Sequence, residues 1–214
     1  MRRDRYQSAS RTVIMGFLLS VCGLMASAQA QTVILGEVVA GAEPLAGAQV
    51  ALFAAREDQS VELAQGETDA RGQFAIYAGL VEGEDELYLI VTDSDSASGS
   101  LVLMSAIGRV GSEPVVTVRV NERTTVASVY ALSRFIHEDL RVYGRSPGLG
   151  NSFATVRNLV DPETGAPGAF VSNADNSGEG GALETIETIA GLVAACANDQ
   201  SGQAACQLFE ILTP

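Results

Sequence analysis

The chain contains no lysine and no tryptophan, and a single histidine, His137. All 13 of its cations are arginine, set against 26 aspartates and glutamates in 214 residues. These absences remove several chemistries by inventory: a Schiff-base or P-loop lysine, a multi-histidine metal site, and any Ser/His/Asp or Cys/His device that does without His137. What remains, 47% hydrophobic and 18% charged, is the composition of a folded chain. Its length suits one or two small domains, each able to bury a core.

The first thirty residues read as a sorting segment. Arg2, Arg3, Arg5 and Arg11 precede an apolar run over residues 13–25. That run is long enough for a signal peptide but short of the roughly 20 residues that span a bilayer. Two small-x-small sites follow, and cleavage is expected after Ala30, just before the first strand-like run. Lipid attachment at Cys22 is the alternative, but Val21 precedes it where a lipobox carries Gly, Ala or Ser. Loss of residues 1–30 leaves 9 cations against 25 anions, a net charge of −16 that repels nucleic acid and anionic lipid. The expected location is secreted or periplasmic, with no transmembrane span in the mature chain. Two cysteines then remain, Cys196 and Cys206, and an oxidising compartment favours their pairing over metal ligation, since no histidine lies near.

Residues 31–120 alternate with period two, broken by Gly, Pro and Asp, which reads as a β-sandwich. Candidate strands cover 32–39, 48–54, 60–67, 73–78, 87–91, 101–105 and 115–120. Inward positions are Ile34, Val38, Val50, Leu52, Phe74, Ile76, Leu87, Leu89, Val116, Val118 and Val120. Pro44 and Gly72 mark turns.

Gly36-Glu37-Val38, Pro44-Leu45-Ala46-Gly47-Ala48-Gln49-Val50-Ala51-Leu52 and Thr68-Asp69-Ala70-Arg71-Gly72-Gln73-Phe74-Ala75-Ile76 follow one another in the order of a known pattern. This stretch resembles the carboxypeptidase regulatory-like family of transthyretin-type sandwiches. The resemblance implies a seven-stranded sandwich in an extracytoplasmic accessory module without catalytic residues. Two enzyme classes built on related sandwiches, a ring-opening dioxygenase and a hydroxyisourate hydrolase, need histidines that this chain lacks.

Residues 121–214 turn to helical spacing. Thr124 or Thr125 is expected to cap a first helix with Val126, Val129, Tyr130, Ser133 and Ile136 on its apolar side. Phe153, Val156 and Leu159 mark a second, ended by Asp161-Pro162. Leu183, Ile186, Ala190, Val193 and Ala197 mark a third, and Ala205, Leu208, Phe209 and Leu212 a fourth. A Cys196–Cys206 bridge is expected to staple the last two, giving an α+β chain whose sandwich packs on a small disulfide-stapled helical lobe. This half is similar to an uncharacterised helical segment of bacterial exported proteins through Val120-Asn121-Glu122-Arg123-Thr124-Thr125-Val126-Ala127-Ser128, Asn158-Leu159-Val160-Asp161 and Cys206-Gln207-Leu208-Phe209. That resemblance implies no activity.

Each candidate site has a plain reading beside it. His137 beside Glu138 and Asp139 offers adjacency without a converging nucleophile, and a cation near a helix C-terminus is the simpler account. Glu82, Glu84, Asp85 and Glu86, with Asp93 and Asp95, are hard-oxygen calcium candidates or a hydrolytic carboxylate pair, but read more simply as solvated loops. Asn173 to Glu179 is a weaker calcium candidate. Tyr77, Tyr88, Tyr130 and Tyr143 offer rings to a sugar without the tryptophan such platforms use. Asn121 to Thr125 is expected to cap a helix and tie the two halves together. The expectation overall is a non-catalytic structural or interaction module at the cell envelope, its protein or envelope partner unnamed and no cofactor implied. The alternatives are an exported carboxylate hydrolase and a calcium- or carbohydrate-binding adhesion module.

Overall fold

Period-two burial becomes strands β1 (Val33–Ala40), β2 (Glu43–Pro44), β3 (Gln49–Ala55), β4 (Ser60–Glu67), β5 (Gln73–Tyr77), β6 (Glu86–Asp93), β7 (Leu101–Gly108) and β8 (Val115–Val120). Helices α1 (Glu122–Leu132), α2 (Gly148–Leu159) and α3 (Ala182–Asn198) follow, so the protein is α+β. This is a computed structural model, and it describes residues 32–79, 81–93, 101–111, 113–173 and 175–198, the side chains of 196–198 excepted. The cleavage point after Ala30, Cys22, Cys206, the side chain of Cys196 and the expected fourth helix therefore lie outside the described residues.

The strands form two four-stranded sheets. In the first, β1 is antiparallel to β2 and β5 and parallel to β8. The second runs β4-β3-β6-β7, antiparallel throughout. The described strands number eight where the sequence pattern indicates seven. The additional one is the two-residue β2, where the Pro44 turn folds back so that Val39 faces Pro44 and Ala40 faces Glu43. Two residues are too few to display an alternation.

One hydrophobic cluster takes residues from both sheets: Ile34, Val38, Phe74, Ile76, Val118 and Val120 from the first, and Val50, Leu52, Leu87, Leu89, Leu103 and Ile107 from the second. Each fully buried aliphatic side chain there contributes roughly 1.5–3 kcal/mol. Every expected inward position belongs to this cluster, Val116 only as a partly buried neighbour.

The motif residues are what let these strands approach. Gly36 sits opposite Phe74 in the β1–β5 register. A Cβ on Gly36 would meet the Phe74 ring and lie 2.6 Å from the Val118 carbonyl oxygen, so glycine leaves the space that the ring fills. Thr68 Oγ1 accepts from the Ala48 N–H at 2.9 Å and donates to the Leu45 carbonyl at 2.6 Å, closing the loop before β3 onto the end of β4. Gly72 has φ +71°, as the bulged hairpin requires, while Asp69 Oδ1 accepts the Arg71 and Gln73 N–H groups at 2.8 Å each.

The second sheet is covered on its other face too. Phe53, Ala55, Tyr88, Met104 and Ala106 join Ala127 and Leu132 of α1, Leu149, Phe153 and Val156 of α2, and Val142 and Val160 in a second cluster. The helices thus make a third layer. α3 packs on α1 and touches β1, with Val193 against the inter-sheet core.

Two details of α1 correct the sequence reading. Its cap is Asn121, not Thr124 or Thr125: Asn121 Oδ1 accepts the Thr124 N–H while Thr124 Oγ1 accepts the Asn121 N–H, both at 2.9 Å. Its buried side is Glu122, Thr124, Ala127, Ser128 and Leu132, whereas Val129 and Tyr130 face solvent and the helix ends before Ile136. The physical reason is that α1 lies along the edge of β7 and meets its backbone through hydroxyls. Thr125 Oγ1 accepts from the Met104 N–H and Ser128 Oγ from the Ala106 N–H, each at 2.9 Å. Hydroxyls three residues apart on a helix thereby match amides two apart on a strand, and a bare sheet edge is covered.

Candidate functional site

The acidic loop before β6 is built as an ion-pair lattice. Asp85 is buried, and its two oxygens accept from Arg56 Nε at 2.8 Å and Nη2 at 3.0 Å. Glu82 lies 3.2 Å from the same guanidinium. Arg109 holds Glu86 through Nε at 2.8 Å and Glu84 through Nη2 at 3.0 Å. The Arg56–Asp85 pair is bidentate, and the two arginines balance half the charge of the four carboxylates that sequence spacing offered to calcium or to acid–base work, leaving Glu82 and Glu84 exposed at the rim. Burial pushes the Glu86 carboxyl above its ordinary range, outweighing the opposing pull of Arg109 and Arg157. Asp93 stands at the other end of β6, seven residues on, roughly 23 Å away at a strand's rise per residue. The cluster and Asp93 therefore share no cleft. Asp95 lies outside the described residues. Among the described residues, no group of three or more His, Cys, Asp or Glu is placed to hold a metal ion.

The other candidates are scattered. His137 is five residues past the end of α1, exposed, stacked on Tyr143 with ring centroids 3.6 Å apart. Its expected place at a helix C-terminus is thus corrected: α1 stops at Leu132, and Phe135 and Ile136 turn back toward it through backbone bonds. Asn173 spends its side-chain oxygen on the Asp175 and Asn176 N–H groups at 3.1 Å, an Asx turn rather than an open ligand. Tyr88 is fully buried, its hydroxyl 2.5 Å from Ser60 Oγ and accepting the Val142 N–H at 3.0 Å. Tyr130 is on α1 and Tyr77 on β5, so the four rings make no common platform.

Asn121 to Thr125 does tie the two halves. Glu122 is buried and accepts the Gly41 N–H, Asn121 Nδ2 donates to the Gly165 carbonyl, and Arg123 Nε donates to Glu187 Oε1 of α3 at 2.7 Å. The Arg119 N–H donates to the Pro162 carbonyl at 2.8 Å, bringing the chain after α2 alongside β8.

Sequence reading misses the surface that the layering leaves open. Among the described residues, the second sheet is covered on both faces and the first on only one. Registers place three rows across the outer face of β5, β1 and β8: Tyr77–Val33–Val115, Ala75–Leu35–Thr117 and Gln73–Glu37–Arg119. The first two are mainly apolar and open, with Tyr77 68%, Val115 51% and Leu35 40% exposed. The third is polar, with Arg119 and Glu37 3.5 Å apart. A shallow depression of about 640 Å³ lies on this face, with Glu37, Glu67, Asp69 and Glu163 in its lining. The signal was present in the sequence: Leu35, Ala75 and Val115 sit in the out-facing phase of strands whose in-facing phase is already apolar. Only the register shows that they adjoin.

No family model matches the chain, and no curated protein matches it. Among solved structures, the crystal structure of a 9R-lipoxygenase from Cyanothece PCC8801 is similar at 16% identity and a TM-score of 0.30, over 72% of this chain and 27% of that one. The chain spans about a quarter of that protein's length, and so loose a likeness carries no argument about fold or activity. No helix among the described residues is long and apolar enough to cross a membrane.

Proposed function

We propose that this protein is a non-catalytic interaction module, exported to the periplasm or beyond, that binds a partner of the cell envelope through the outer face of β5, β1 and β8. The observation that carries this reading is the Tyr77–Val33–Val115 row with Leu35 beside it, apolar and uncovered on one side of a sheet whose other side is core. Exposed apolar side chains gathered on one rigid face mark contact surfaces. Two further features support it. The acidic loop's carboxylates are engaged by Arg56 and Arg109, which leaves them little to offer a reaction. The Gly36–Phe74 contact and the Thr68 bonds give the motif residues structural work, in keeping with a transthyretin-type accessory sandwich of the carboxypeptidase regulatory-like kind.

The test is site-specific photo-cross-linking in the producing cell. A cross-linking side chain at Tyr77 or Leu35 is expected to capture a discrete envelope component, while one at Glu57, exposed in the turn between β3 and β4, captures none. Equal capture from all three positions, or capture from Glu57 alone, would count against the reading.

A further inference from the structure

The β8 edge of the first sheet carries a second, sharper feature. In the parallel β1–β8 ladder, Val33 N–H donates to the Pro114 carbonyl, so the even-numbered residues of β8 turn their backbone groups toward β1 and the odd-numbered ones turn outward. Arg119 obeys this, since its N–H reaches out to Pro162. Two residues earlier, Thr117 presents the next outward N–H and C=O, and no partner for them occurs among the described residues. Where a neighbouring strand would continue there is a groove of about 600 Å³. Its floor is Ile107, Val110, Val116 and Val118, all part of or packed on the inter-sheet core. The chain after α2 thus supplies one rung at Arg119 and then turns away.

We infer that β8 is a strand-addition site for an extended cationic segment of a partner protein, one that alternates basic and aliphatic residues. This rests on the reading of the protein as an interaction module. Main-chain pairing with Thr117 would supply the attachment, and the pleat would dictate the pattern. Partner side chains on Thr117's side of the pleat project over the outer face, whose depression carries Glu67, Asp69 and Glu163 beside the Glu37–Arg119 pair. Those of the other phase dip toward Val110 and Ile107. Glu113, Asp161 and Glu163 line the groove, and none of them is in an ion pair among the described residues. Of the groove's two arginines, Arg109 is paired with Glu84 and Glu86, while Arg157 donates through Nη2 to the Ile107 carbonyl at 2.9 Å and keeps its charge, one cation against the three carboxylates. The unspent charge is therefore negative. A second copy of this chain fits poorly, because a formal net charge of −13 repels itself and the Arg119–Pro162 rung shortens the edge available for self-pairing.

The probes are two blocked pentapeptides, Lys-Val-Lys-Val-Lys and Glu-Val-Glu-Val-Glu, added to the purified protein while amide exchange is followed by NMR. The lysine peptide is expected to slow exchange of the Thr117 amide at least tenfold and to leave the Ala106 amide, already bonded to Ser128, unchanged. The glutamate peptide at the same concentration does neither. Asp161→Asn with Glu163→Gln is expected to weaken the lysine peptide at least threefold in a protein of unchanged melting temperature. Thr117 left unprotected, or protected equally by both peptides, would overturn the inference. The two proposals fail separately: cross-linking from Tyr77 without Thr117 protection removes only strand addition, and Thr117 protection without envelope cross-linking removes only the envelope partner.

Discussion

Thr125 of α1 and Met104 of β7 are joined at the backbone of one and the hydroxyl of the other. Thr125 Oγ1 accepts the Met104 N–H at 2.9 Å and donates to the Asn121 carbonyl at 2.8 Å, with the Met104 carbonyl 3.3 Å away. One side chain thus satisfies a sheet edge and its own helix's first turn. Ser128 Oγ likewise accepts the Ala106 N–H at 2.9 Å. This seam fixes the helical layer against the second sheet and covers the β7 edge.

Replacing Thr125 with Val keeps the shape and removes the hydroxyl, stranding the Met104 N–H beneath the helix. The expected cost is about 1–3 kcal/mol, read as a lowered urea midpoint with an unchanged slope. Thr125→Ser, which retains the acceptor, is expected to lose less than half as much. Equal losses for both variants would mean that the methyl group, not the hydroxyl, holds the seam.

Tyr88 couples the second sheet to the segment after α1. Its ring stacks on Phe53 at 5.3 Å and its hydroxyl is the acceptor for the buried Val142 N–H. Tyr88→Phe preserves the stack and leaves that N–H without its partner. A destabilisation of about 1–3 kcal/mol is expected in equilibrium unfolding, with faster amide exchange at Val142. An unaffected Val142 amide would show that the hydroxyl contributes nothing to that contact.

Glu86 gives the fold a pH dependence of definite sign. Burial raises its carboxyl above the ordinary value, so the folded state holds the proton more tightly than the unfolded one. Its contribution is therefore most favourable below the unfolded value and is lost as pH rises through the raised folded value. Glu86→Gln is expected to melt at or above the parent at pH 7, with the difference shrinking as both are taken toward pH 4. A variant that melts lower at pH 7 and equals the parent in acid would show that the Arg109 pair outweighs the burial.

The strands were legible because one phase of each is apolar and turn residues punctuate them. Expected and observed bounds coincide at β4 and β8, shift by one residue at β1 and β3, and differ by a residue or two at the end of β5 and both ends of β6; β7 runs three residues further. Glu43–Pro44 escaped because two residues carry no period. The direction of α1 was misread for a physical reason: Val126, Val129 and Tyr130 make the more hydrophobic stripe, but the edge of β7 needed hydroxyls, and so Thr125 and Ser128 turned inward. The acidic loop looked like a ligand set because its arginines, Arg56 and Arg109, are 26 and 23 residues from Glu82 and Glu86 on opposite sides of it. Only the fold brings them together. The open face was invisible for the same reason, since Tyr77, Leu35 and Val115 come from three strands.

The central claim, that the uncovered face of β5, β1 and β8 is where this protein meets its partner, is tested most directly by co-sedimentation with envelope fractions of the producing cell. The comparison is between the parent and the double variant Leu35→Asp, Tyr77→Asp, after both are shown to melt within about 4 °C of each other, the shift that roughly 1 kcal/mol produces in a small domain. The account predicts that the parent sediments with the envelope and the variant stays in the supernatant. Equal sedimentation of the two, or none of either, would contradict it.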